Sequence, residues 1–91
     1  MPLGHTTHPA AHKTWWLRAT GLRIRQARHD AGMTLRQLAE TIGKSVSHIQ
    51  KWEDGVTSVP SYDLKRIEVA LGCNHYDLTP DESDWEKGNA A

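Results

Sequence analysis

The sequence predicts an all-α fold, a compact domain of five helices in which the second and third form a helix-turn-helix. Three observations predict it. Apolar residues recur at three- and four-residue spacing through most of the chain, which is the period of an amphipathic helix. Glycines follow those segments, at the position where helices commonly end. A chain of 91 residues can build only one core, so the helices must share it.

The first helix is predicted to follow a flexible arm. Residues 1–13 are rich in His, Thr, Pro and Ala and show neither a helical nor a strand period, which is typical of a mobile terminus. From about residue 14 onward the apolar positions fall at helical spacing, at Leu17, Ile24, Ala27 and Ala31. Gly32 then supplies a stop signal, so helix one is expected to end beside it.

The second helix begins with a clear start signal. Thr34 is predicted to be its N-cap, and Gln37 completes a Thr-x-x-Gln capping box. Met33 can pack on Leu38 across this start as a hydrophobic staple. The apolar stripe of the helix consists of Leu35, Leu38, Ala39 and Ile42. Gly43 is expected to end the helix after about two turns.

The third helix follows after a short turn and completes the helix-turn-helix. Ser45 is its predicted N-cap, Ile49 and Trp52 are its buried pair, and Gly55 ends it. Two helices joined by so short a turn cross steeply. The side chain at the crossing must therefore be small, which is the expected reason for Ala39 in helix two.

The remaining helices complete the domain, which is predicted to span residues 14–78. A fourth helix opens at Pro60, carries an apolar face, and closes at Gly72. That face consists of Leu64, Ile67, Ala70 and Leu71. A single turn of helix is expected near residues 75–78. Residues 79–91 form an acidic tail or a short last helix, for which Thr79 is the predicted cap.

Charge and composition restrict the classes of function. Residues 18–60 carry seven basic and four acidic side chains, whereas residues 61–91 carry three basic and seven acidic ones. The basic middle is expected to face a polyanion and the acidic end to point away from it. The N-terminus lacks the pattern of a secretory signal and no apolar run could span a membrane, so a cytoplasmic protein is expected. The single cysteine, Cys73, excludes an intramolecular disulfide and a cysteine-based zinc site.

A spaced set of residues runs through the predicted helices and carries a family resemblance. The set comprises Gly21, Arg23, Ile24, Arg25, Arg28, Gly32, Met33, Thr34, Leu38, Ala39, Ile42, Gly43, Ile49, Trp52, Glu53, Gly55, Pro60, Ser61, Leu64, Ile67, Ala70, Leu71, Gly72 and Leu78. With it the sequence resembles the Cro/C1-type (XRE) family of helix-turn-helix regulators over residues 20–78. The resemblance implies a lambda-repressor-like domain that binds double-stranded DNA. It also implies an ion pair between Arg28 and Glu53 that ties helix one to the end of helix three.

The DNA-facing side of helix three follows from helical geometry. Each residue turns an α-helix by about 100°, and Ile49 and Trp52 fix the core side. The candidate base-reading residues lie on the other side or in the exposed first turn, and are Val46, Ser47, Gln50 and Lys51. His48 falls at the margin of this face. The candidates for contacts with the DNA backbone are Arg36, Lys44 and Ser45.

Other chemistries have weaker support in the sequence. Ser45, Ser47 and His48 are explained by capping and groove-facing positions, so no catalytic site and no enzyme activity is expected. The histidines of the arm, His5, His8 and His12, lie in a segment without defined geometry, so neither a metal site nor a cofactor is expected. The aromatic residues Trp15, Trp16 and Trp85 either extend the core or form a self-association patch.

The predicted function is sequence-specific binding of duplex DNA, by a transcriptional repressor that acts as a homodimer on a palindromic operator. Two linked reading helices would compensate for the few basic residues of one unit. Two alternatives keep the same fold: an antitoxin that binds a toxin and regulates its own gene, and a restriction-modification controller protein. A third alternative is a protein adaptor without a role on DNA.

Overall fold

The computed structural model describes residues 9–89, and over that range the chain is all-α, as predicted. Its helices are α1 (Pro9–Asp30), α2 (Leu35–Ile42), α3 (Val46–Glu53), α4 (Ser61–Leu71), α5 (His75–Leu78) and α6 (Glu82–Asn89). The shared core consists of Ile24, Leu38, Ala39, Ile42, Ile49, Trp52, Leu64, Ile67 and Leu78. Helix α1 packs against α3, α4 and α5, and α2 packs against α3 and α4. None of the helices in this range is long and apolar enough to cross a membrane.

Helix α1 begins at Pro9, earlier than the sequence predicted. The predicted arm of residues 1–13 is therefore wrong for residues 9–13, which are helical, and residues 1–8 lie outside the described range. Proline is well accommodated in the first turn of a helix, where its missing N–H is not needed. The extension also gains a packing partner, because His12 and Trp15 contact Trp85 of α6. That contact joins residues far apart in sequence and leaves no trace in local periodicity.

The helix-turn-helix forms with the caps that the sequence predicts. The Thr34 hydroxyl accepts from the Gln37 N–H at 3.1 Å, and the Gln37 side chain accepts from the Thr34 N–H at 2.8 Å. Gly43 ends α2 in the left-handed conformation, with φ 71°. Ala39 is 2% exposed beneath α3, in agreement with the need for a small side chain there.

The crossing of α1 and α3 depends on a glycine inside a helix. A Cβ atom at Gly21 would lie 2.4 Å from the carbonyl oxygens of Trp52 and Glu53 at the end of α3. Such a separation is far below van der Waals contact, so only glycine lets the two backbones approach this closely. This close approach sets the distance between α3 and α1.

The C-terminal segment forms a sixth helix, the short last helix that the sequence allowed. Its predicted cap, Thr79, is wrong: the hydroxyl and the N–H of Thr79 both donate to the His75 carbonyl oxygen, each at 3.0 Å, and so end α5. Asp81 caps α6 instead, because its carboxylate accepts from the Ser83 N–H at 3.0 Å. The Asp84 carboxylate accepts from the Asp81 N–H in return.

Candidate nucleic-acid interface

Helix α3 presents one buried and one exposed side. Ile49 and Trp52 are 0% and 3% exposed, and they face the core. Three of the predicted base-reading residues, Val46, Ser47 and Lys51, are exposed. Ser47 and Lys51 lie away from the two core residues around the helix axis, as the helical period predicts, whereas Val46 is exposed in the first turn of the helix.

The first turn of α3 is held by Ser45, and this limits what Ser45 can offer to DNA. Its hydroxyl accepts from the His48 N–H at 3.2 Å and lies 2.8 Å from His48 Nδ1. The imidazole of His48 also packs at a tilt against the Trp52 ring, with centroids 6.1 Å apart. The Ser45 side chain is therefore engaged in the cap, and its backbone N–H is the group best placed for a phosphate.

The two cations predicted to contact the DNA backbone have different surroundings. Arg36 is exposed in the first turn of α2. The Lys44 ammonium lies 3.7 Å from the Asp63 carboxylate, whose side chain is 7% exposed. Because Asp63 offsets part of the charge of Lys44, Arg36 presents the less compensated positive charge of the two.

Gln50 is half-buried and is already hydrogen-bonded within the protein. Its Nε2 atom donates to both carboxylate oxygens of Asp54, at 3.1 Å each. Asp54 in turn accepts from Arg25 Nη2 at 2.8 Å. Neither Arg25 nor Asp54 was predicted from the sequence to lie at this site. The spacing of four residues between Gln50 and Asp54 could have indicated their contact, whereas the contact with Arg25 spans two helices.

The ion pair that the family resemblance implies is present and joins α1 to α3. Arg28 Nε and Nη2 donate to the two carboxylate oxygens of Glu53, at 2.7 and 3.0 Å. Arg28 and Glu53 are 7% and 2% exposed. The hydrogen bonds with Glu53 raise the pKa of Arg28, although burial acts against them. Arg25 Nε donates to the same carboxylate at 3.3 Å, so Glu53 anchors two arginines of α1.

The remaining candidate groups are His12, a metal site and the single cysteine. His12 lies in α1 with Nε2 3.0 Å from a Glu82 carboxylate oxygen. Within the described part of the chain, no three His, Cys, Asp or Glu residues are placed to hold a metal ion. Cys73 is half-buried, and its thiol pKa is raised by burial and, to a smaller extent, by the nearby Asp77 and Glu68 carboxylates. Both effects disfavour the reactive thiolate.

Comparisons with known proteins agree with this architecture. The sequence profile of the helix-turn-helix family matches residues 24–78. The clp gene regulator ClgR from C. glutamicum is 36% identical over 67% of this chain and 78% of its own, with a TM-score of 0.65. The restriction-modification controller protein C.AhdI from Aeromonas hydrophila is 26% identical over 68% of this chain and 94% of its own, also with a TM-score of 0.65.

A third similar structure is the SinR/SinI protein complex, of which one chain is 30% identical over 75% of this chain and 72% of its own, with a TM-score of 0.62. A search among curated protein sequences found no match. The matched residues run from the core of α1 to the end of α5 and include the whole helix-turn-helix. The chain therefore belongs to the Cro/C1-type (XRE) family of helix-turn-helix DNA-binding transcription regulators.

Proposed function

We propose that the protein represses transcription by placing α3 in the major groove of a specific operator. The observation that carries this proposal is the set of exposed side chains on α3: Ser47 and Lys51 on the side opposite its core residues, and Val46 in its first turn. An α-helix fits the major groove of B-form DNA, and its N-terminal residues commonly reach the base edges first. Helix α3 is also the second helix of the helix-turn-helix, which is the helix that enters the groove in this motif.

The side chains on this face suit the donor and acceptor pattern of the major groove. Lys51 would donate to O6 and N7 of guanine, and Val46 would pack on the methyl group of thymine. Gln50 would pair with adenine, and Ser47 could bond either kind of base. Arg36, Lys44 and the backbone N–H of Ser45 would contact phosphates and set the register without reading sequence.

A homodimer is part of the proposal, on a two-fold symmetric operator. Net charge is zero at pH 7 and few cations flank α3, so one protomer would bind DNA weakly. Two reading helices about one helical turn apart would raise the affinity through avidity and would require a palindromic site.

A restriction-modification controller is the second candidate function. The observation that favours it is the similarity to C.AhdI, 94% of which is covered by this chain. A neighbouring restriction gene would support the controller role, and a neighbouring toxin gene would support the antitoxin alternative.

Two substitutions distinguish a contact with a base, proposed for Lys51, from a contact with the DNA backbone, proposed for Lys44. Selection of bound duplexes from a random pool should return two inverted half-sites about ten base pairs apart. Lys51→Ala should relax the base preference at one position of each half-site, because it removes a donor to a base edge. Lys44→Ala should weaken binding to all sequences alike and reduce the dependence on salt. Unchanged DNA binding in both variants would contradict the assignment of α3 as the reading helix.

A further inference from the structure

We infer that Asp54 is a positioning residue that sets the base preference of Gln50, by holding the Gln50 amide with its oxygen directed away from the carboxylate. The inference rests on the proposed function, in which α3 reads base edges. Asp54 itself need not touch DNA for this role. It acts through the side chain four residues earlier on the same helix.

The hydrogen bonds between the two side chains fix the orientation of the amide. Gln50 Nε2 lies 3.1 Å from each oxygen of the Asp54 carboxylate. An ionised carboxylate only accepts hydrogen bonds, so the NH₂ end of Gln50 must face it. The flipped amide would place Oε1 against the carboxylate oxygens and lose both bonds. A free glutamine side chain has no such preference between its two ends.

The carboxylate is itself held in place from the core. Arg25 Nη2 donates to Asp54 Oδ1 at 2.8 Å, while Arg25 Nε donates to the buried Glu53 at 3.3 Å. Asp54 also ends α3, and its N–H donates to the Gln50 carbonyl oxygen at 2.9 Å. A continuous set of hydrogen bonds therefore runs from the buried ion pair to the edge of the reading face. Arg25 also offsets a negative charge that would otherwise repel phosphates.

The chemistry of the amide turns this orientation into a preference for adenine. In the inferred arrangement one Nε2 hydrogen is shared by the two Asp54 oxygens, and the other, on the same side of the amide as Oε1, is free for the base. That free N–H and Oε1 match N7 and the N6 amino group of adenine in the major groove. Guanine presents two acceptors at the same edge and would meet Oε1 with repulsion. Because the Gln50 side chain is already oriented before binding, it loses less conformational entropy on contact with the base than an unrestrained side chain would.

The test compares binding affinity for the selected operator with affinity for duplexes in which the base pair facing Gln50 is changed. Asp54→Ala should reduce the discrimination in favour of adenine at that base pair about tenfold, which is within the usual effect of one bidentate contact. Discrimination at the base pair facing Lys51 should not change. The affinity for duplexes that lack adenine at that base pair should stay equal or rise, because the variant removes a negative charge. A merely structural role would lower affinity for every sequence.

Two further variants show whether the loss of discrimination could come from an effect on folding or on charge alone. Asp54→Asn keeps the size and the cap but can face either end of the Gln50 amide, so it should lose part of the discrimination. Asp30→Ala is the matched control, because Asp30 accepts from Gln26 at 2.9 Å across the same four-residue spacing on α1. It removes a like pair outside the helix-turn-helix and should leave discrimination unchanged.

A double-mutant cycle separates the possible outcomes. Gln50→Ala should lose the adenine preference, and adding Asp54→Ala to it should then cause no further loss of discrimination. Full discrimination in both Asp54 variants, or an adenine preference that survives Gln50→Ala, would overturn the inference while leaving the proposed function intact. A wild-type protein that selects no DNA sequence would overturn the proposed function and the inference together.

Discussion

At the junction of α1 and α3, the Glu53 carboxylate accepts three hydrogen bonds from arginine side chains. Glu53 is 2% exposed, and its carboxylate accepts hydrogen bonds from Arg28 and Arg25, which both lie on α1. A buried charge is stable only while it is paired, so removal of one partner costs more than the pair contributes when it is intact. The effect of a substitution here therefore depends on what is left behind in the core.

Glu53→Ala should lower the free energy of unfolding by about 3–5 kcal/mol, because it leaves the buried Arg28 guanidinium without its carboxylate. Urea unfolding followed by circular dichroism measures the loss. Glu40→Ala, which removes an exposed carboxylate from α2, should change stability by less than about 0.5 kcal/mol. Equal effects of the two substitutions would show that the ion pair contributes little.

The pH dependence of this ion pair follows from the direction of the pKa shift. The folded-state pKa of Arg28 is raised above its ordinary value. Its stabilising contribution is therefore complete below the ordinary pKa and is lost only as the pH rises through the folded value. Titration of Arg28 should give no change in unfolding free energy between about pH 6 and 9, where arginine stays charged in both states.

Thr20 is a second residue whose environment predicts a measurable effect. Among the described residues, its Oγ1 is the buried side-chain oxygen without a hydrogen-bond partner, and the residue is 6% exposed. Thr20→Val replaces that hydroxyl with a methyl group of similar shape and should raise the free energy of unfolding by about 1 kcal/mol. Thr41→Val is the control, because the exposed Thr41 hydroxyl donates to the Gln37 carbonyl oxygen at 2.8 Å. A gain in Thr41→Val as large as that in Thr20→Val would contradict the explanation.

At the scale of the elements, the crossing of α1 and α3 has no room for an added side-chain atom at Gly21. Gly21→Ala would normally favour a helix, but here the added Cβ meets two carbonyl oxygens of α3 at 2.4 Å. The two helices must separate, so stability should fall by about 2 kcal/mol and operator affinity should fall with it. Leu22→Ala, at a position 59% exposed on the same helix, should change neither quantity strongly. Wild-type stability in Gly21→Ala would show that the crossing can relax.

The helices themselves were predictable to different degrees. The start of α2 and the start of α3 were both predicted correctly, because a cap is made by residues three positions apart. The start of α1 and the cap of α6 were not. Helix α1 continues to Pro9 where residues 12 and 15 pack on α6, and Thr79 serves α5 because its hydroxyl reaches back to His75.

At the scale of the whole molecule, α1 contacts α6 and α3 with opposite sides. His12, Trp15 and Arg23 contact α6, whereas Gly21, Arg25 and Arg28 contact the end of α3. At about 100° per residue these two sets lie roughly half a turn apart. The aromatic residues Trp15 and Trp85 pack on each other within one chain, with ring centroids 5.2 Å apart, which favours an extended core.

Trp85→Ala should therefore lower stability without changing DNA recognition. It removes the contacts of the Trp85 ring with Trp15 and His12, at 5.2 and 5.0 Å between centroids, and should cost about 1–2 kcal/mol, because the residue is only half-buried. The dissociation constant for the selected operator should stay within about twofold, since α6 and α3 contact opposite sides of α1. Tyr76→Ala, at an aromatic residue 83% exposed, is the control for stability. Loss of operator binding in Trp85→Ala would instead favour the self-association patch.

The sequence by itself determined the helical class, the helix-turn-helix and the family, because capping boxes, helical periods and spaced motifs are local patterns. It also predicted that Ser47 and Lys51 are exposed, since Ile49 and Trp52 define the core side of α3, and that Val46 is exposed in the first turn. Only the tertiary structure decided how α1 meets its neighbours: the close approach at Gly21, the contacts with α6, and the hydrogen bonds from Arg25 to Asp54. Each of these joins residues distant in sequence, and a contact of that kind exists only once the helices have packed.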